Sequence, residues 1–119
     1  MSRTLTTVAI DTAGPAALAR FYHTVTGWEI SASGDDFAAL TGGPVGLAFQ
    51  YVADYKAAGW PDGDKHFHLD FEVDDITTAE QELLAAGATK PDFQPGGTDW
   101  TVLLDPEGHA FCLVPREVA

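Results

Sequence analysis

Read for the alternation of apolar and polar positions, the chain falls into two stretches with the same order of elements. Thr6-Thr7-Val8-Ala9-Ile10-Asp11 alternates with a period of two, as a half-buried strand does. Pro15 suits the first turn of a helix, where its missing N–H removes no hydrogen bond. Leu18, Phe21, Tyr22 and Val25 then recur at helical spacing and make one apolar face, and Gly27 stands where a left-handed cap ends the helix. Three extended pieces follow, 28–33, 37–40 and 45–52, separated by turns at Gly34 and Gly42-Gly43-Pro44.

Residues 53–65 are polar and rich in Gly and Pro, and read as a linker or a lid that carries Trp60. The pattern then restarts. His66 to Val73 alternates as a strand, Asp74 or Asp75 is a helix N-cap, Ile76, Ala79 and Leu83 give a helical face, and Gly87 ends it. Extended pieces at 89–93, 98–104 and 110–115 complete the second half, the last two joined by a turn at Asp105-Pro106-Glu107-Gly108. The expectation is a single α+β domain over residues 1–119 built from two tandem βαβββ modules: module one at 4–52, a linker at 53–65 and module two at 66–116. In each half one sheet face packs on the helix while the other meets the sheet of its twin. In the strand at 66–73 this puts Phe67, Leu69, Phe71 and Val73 on the apolar face, and turns His66, His68, Asp70 and Glu72 toward the cleft.

Composition narrows the function classes. With 119 residues the chain has the length of one domain, and no apolar run is long enough to span a bilayer. Its start carries no basic stretch followed by an apolar core, so a cytoplasmic location is expected. The single cysteine, Cys112, excludes an intramolecular disulfide. Six Lys and Arg against 18 Asp and Glu give a formal charge of −12, which repels phosphate backbones and anionic headgroups. Neither nucleic acid nor membrane is an expected partner; such a surface keeps a protein soluble and also attracts small cations.

Phe21-Tyr22 before Gly27-Trp28, the run His68-Leu69-Asp70-Phe71-Glu72-Val73-Asp74-Asp75, the helix end at Gly87-Ala88, and Asp105-Pro106-Glu107-Gly108 together resemble the glyoxalase-like, actinobacterial branch of the vicinal oxygen chelate superfamily, which includes glyoxalase, bleomycin-resistance and dioxygenase proteins. The resemblance implies a cup-shaped, eight-stranded mixed sheet and a homodimer. It also implies four metal-ligand positions, one on the first and one on the last strand of each module, which fall here on Thr7, Gln50, His68 and Cys112. Thr and Gln bind divalent ions weakly, so no metal or other cofactor is expected. A rearranged divalent site at His66 and His68, about 7 Å apart along one strand face, with Asp70 to complete it, is the exception.

His68 is the leading catalytic candidate, as a general base or hydrogen-bond partner with Asp70 beside it. Asp11, Asp70 and Glu72 line the cleft with negative charge; Thr7, Gln50, His66 and Cys112 complete a ligand-binding set, with Cys112 an unreactive filler among apolar neighbours. Trp60 is the expected stacking platform, whereas Trp28 and Trp100 are assigned to the core or a dimer interface, and His23 and His109 to the outer surface. No Ser/His/Asp arrangement, phosphate loop or zinc-finger spacing is present. Two readings follow: a metal-independent protein that sequesters a small molecule, as drug-resistance proteins do, or a lyase or isomerase of a small oxygenated metabolite with His68 as base.

Overall fold

The alternating segment that opens the chain forms β1 (Thr7–Thr12), the first of five elements in the unit Met1–Lys56. It is followed by α1 (Pro15–Thr26), β2 (Glu29–Ser33), β3 (Phe37–Thr41) and β4 (Gly46–Tyr51). The computed structural model describes residues 2–64 and 67–116. The strands lie in the order β1-β4-β3-β2, with β1 parallel to β4 and the other pairs antiparallel. Helix α1 begins at Pro15 and ends at Gly27, whose φ of 72° is the left-handed conformation that a residue without Cβ adopts freely. Leu18, Ala19, Phe21 and Tyr22 are buried, and Tyr22 stacks on Phe49 of β4 at 5.7 Å between ring centroids. Burying side chains of this kind contributes roughly 1.5–3 kcal/mol each, which fixes the helix to one face of its sheet. Trp28 lies against Gly43, where a Cβ would come within 2.1 Å of the indole.

The second unit, Ala57–Ala119, contains β5 (Leu69–Val73), α2 (Ile76–Ala85), β6 (Thr101–Leu104) and β7 (Ala110–Pro115), with strand order β5-β7-β6. Strands β5 and β7 are parallel, β6 and β7 antiparallel. Asp75 caps α2: its carboxylate accepts from the Thr77 N–H at 3.1 Å and from the Thr78 hydroxyl at 2.9 Å. Leu83 of α2 is buried, as are Phe111 and Leu113 of β7, and Phe71 meets Phe111 edge to face.

Three expectations are corrected. The strand expected from His66 begins at Leu69; Phe67, placed on its apolar face, is 91% exposed, because the ladder starts at Leu69 opposite Phe111 and alternation before that point meets no sheet. His66 lies outside the described residues.

The extended piece expected at 89–93 is no strand. Only Thr89 pairs, exchanging both backbone hydrogen bonds with Leu104, so the described residues hold seven strands in sheets of four and three rather than one sheet of eight. Pro91 has no N–H to continue a ladder. The side-chain amide of Gln94 takes that place: it donates to the carbonyls of Val102 and Pro91 at 2.8 and 2.9 Å, and its Oε1 accepts from the Val102 N–H at 2.9 Å. One side chain thus satisfies both backbone groups of Val102, as a neighbouring strand would.

His109, expected on the surface, is only 23% exposed. Its Nδ1 lies 2.7 Å from the fully buried carboxylate of Asp105, which also accepts from the Glu107 and His109 N–H groups and so sets the β6–β7 turn. No helix among the described residues is long and apolar enough to cross a membrane.

Candidate functional site

Strand β5 sends Leu69, Phe71 and Val73 to the helix side, so His68, Asp70 and Glu72 occupy the opposite side. The parallel register sets Asp70 directly opposite Cys112 on β7. His68 Nε2 lies 3.3 Å from Asp70 Oδ1, and both side chains are 55% exposed. Cys112 is 7% exposed. One donor atom from each of His68, Asp70 and Cys112 can be chosen so that all lie within 4.8 Å of one another.

These three residues, with Trp100 and Val114, line a pocket of about 190 Å³. Trp100 packs against Gly96, where a Cβ would fall 2.3 Å from the indole, so only a residue without a side chain leaves room for the ring there. Burial, then the negative charge of Asp70 and a hydrogen bond to its carboxylate, push the Cys112 thiol up to about 11. The thiol is therefore protonated at neutral pH and is no nucleophile. What the pocket offers a ligand is a carboxylate, an imidazole, an indole face and a weakly polar thiol. Among the described residues no Lys or Arg lines it.

Two other expected site residues of the second unit stand apart from this pocket. Glu72 pairs with Arg116 at 3.6 Å, and Arg116 also donates to Asp74 at 2.8 Å; Glu72 is not among the pocket residues. Trp60 donates its indole N–H to the Phe93 carbonyl at 2.9 Å and packs near the Phe93 ring, fastening the 53–64 segment to the loop at 91–97. The pocket's aromatic wall is Trp100 instead. Sequence reasoning missed it, although the signal was available. A turn at 105–108 that pairs Val102 with Cys112 places residue 100 beside residue 114, on the Cys112 side of the sheet.

In the first unit Asp11 stands opposite Gln50, whereas Thr7 stands opposite Gly46, four rows or about 13 Å along the ladder. Thr7 lines a different hollow, with Thr41 and Gly43. The four positions that the family resemblance assigns to metal ligands therefore do not fit a divalent ion. Two of them are a neutral hydroxyl and amide set apart within one sheet, which leaves only His68 and Cys112 as ordinary metal donors.

Residues 7–114 match the family model of the glyoxalase-like domain. No curated protein matches the chain by sequence. Among solved structures the chain is similar to a glyoxalase/bleomycin resistance protein/dioxygenase family enzyme from Burkholderia phytofirmans PsJN, at 25% identity and a TM-score of 0.74, covering 95% of this chain and 98% of that one. It is also similar to a glyoxalase-related enzyme from Fulvimarina pelagi (19% identity, TM-score 0.69, covering 97% and 89%). A third is lactoylglutathione lyase from Agrobacterium tumefaciens (17% identity, TM-score 0.64, covering 96% and 94%). The last two likenesses are those of fold alone.

Proposed function

This chain belongs to the glyoxalase-like domain family of the vicinal oxygen chelate superfamily, and from that membership and the site geometry we propose that it binds and holds a small organic molecule in the pocket of its second unit. The observation that carries this reading is the convergence of His68 and Asp70, 3.3 Å apart, with Cys112 on a pocket walled by the Trp100 indole. A volume of about 190 Å³ is below the range usual for drug-sized ligands, so the pocket takes a small molecule or one moiety of a larger one.

A second reading, a lyase or isomerase, is favoured by the His68–Asp70 contact alone. A carboxylate beside an imidazole orients it, and an imidazole that takes a proton from one ligand atom and returns it to another completes an isomerisation with no co-reactant. Against it stands the lining. A proton abstraction leaves negative charge on the ligand, and here that charge meets the Asp70 carboxylate, with the His68 imidazolium that took the proton as its only positive neighbour and no Lys or Arg in the lining. Binding is therefore the stronger reading. Replacing His68 by Ala separates the two: a holding protein loses part of its affinity, while a catalyst loses turnover by about 100-fold or more.

A further inference from the structure

The pocket's chemistry is one-sided, and this names a ligand class. Its one acidic group is the Asp70 carboxylate, half-exposed, with one oxygen 3.3 Å from His68 Nε2 and further lone pairs that can accept hydrogen bonds from a ligand. Trp100 is backed by Gly96 and presents an aromatic wall to the pocket. A carboxylate and an indole face in one small cavity, with no Lys or Arg among its lining residues, are the two elements that recognise an organic cation: one through charge-assisted hydrogen bonds, the other through the negative face of the ring.

Building on the small-molecule reading above, we infer that the second-unit pocket selects a small planar organic cation bearing N–H donors, of the amidinium or guanidinium class, seated between the Asp70 carboxylate and the Trp100 indole. An anion of the same shape is repelled by Asp70, and a neutral ring gains the indole contact without the charged hydrogen bonds. The pocket size limits the ligand to about one ring or to the cationic head of a longer molecule.

The test is titration of the full chain with three probes of one shape, benzamidine, benzyl alcohol and benzoate, followed by calorimetry and by amide and indole N–H shifts, with EDTA present. The expected order is benzamidine at least 10-fold tighter than benzyl alcohol, and no binding of benzoate. Asp70→Asn weakens benzamidine 10-fold or more and leaves benzyl alcohol unchanged, while Trp100→Leu weakens both, and Trp100→Phe, which keeps a ring, restores part of the loss. Glu82→Gln removes the same charge from an exposed helix position outside the pocket and leaves all three affinities unchanged. Equal binding of benzamidine and benzyl alcohol at these residues overturns the cation inference and leaves the small-molecule reading standing. Binding of none of the three at the pocket contradicts both, and an equal effect of Glu82→Gln reduces the cation preference to the protein's overall charge and overturns the inference.

Discussion

Asp70 and Cys112 face each other across the parallel β5–β7 ladder, and the carboxylate raises the thiol to which it is hydrogen-bonded. The consequence is chemical: a family position that faces the pocket carries a proton and not a free anion. With Asp70→Asn the charge disappears and only burial remains, so the thiol pKa falls from about 11 toward, but not below, its ordinary 9.0. Iodoacetamide alkylation followed across pH 7–11 reads this as an earlier rise in rate for the variant. Identical profiles would show that Asp70 does not act on the thiol.

The same shift has a stability counterpart. The folded thiol holds its proton more tightly than the unfolded one, so its contribution to stability is fully present below pH 9 and is lost as pH rises through about 11. Urea melts at pH 8, 9.5 and 11, compared with Cys112→Ala, isolate the term: the stability difference between the two proteins shrinks over this window. A constant difference contradicts the assignment.

Gln94 stands in for a missing strand. Gln94→Leu removes the partner of both backbone groups of Val102 in a part-buried setting and is expected to cost about 1–3 kcal/mol. Gln94→Glu, which keeps the acceptor for the Val102 N–H and loses the donor to its carbonyl, costs less at a pH where its carboxyl is protonated than where it is charged. Urea denaturation of both variants checks the order.

The donor set also predicts metal content. Purified chain, and chain incubated with Mn, Fe, Ni or Zn and desalted, is expected to hold far less than one equivalent of metal by elemental analysis, because the four family positions do not supply a ligand set and the thiol must first lose a tightly held proton. Stoichiometric metal that disappears in His68→Ala would reverse that conclusion.

Much of this was legible in the sequence, for identifiable reasons. The alternation of β1 and β5, the apolar face of α1 and the Asp75 cap rest on local periodicity and local hydrogen bonds, and the structure has them. His68, Asp70 and Cys112 share a sheet face because strand parity fixes it. Three things were hidden. Gln94 imitates a strand with a side chain, which no periodicity encodes, so residues 89–93 read as an eighth strand. His109 is drawn inward by the buried Asp105 four residues before it, a side-chain contact across the turn that alternation does not register. That Trp100 lines the second-unit pocket was not read, because an indole N–H bonded to a backbone carbonyl and an indole packed on a glycine look alike in a sequence.

The most decisive measurement is chemical-shift mapping of the full chain against a mixture of small fragments. The binding proposal predicts that the largest shifts fall on His68, Asp70, Trp100, Cys112 and Val114, and that Trp100→Leu weakens them. Shifts concentrated instead on the hollow of the first unit around Pro15, Arg20 and Tyr51, or no shifts at any residue, would contradict it.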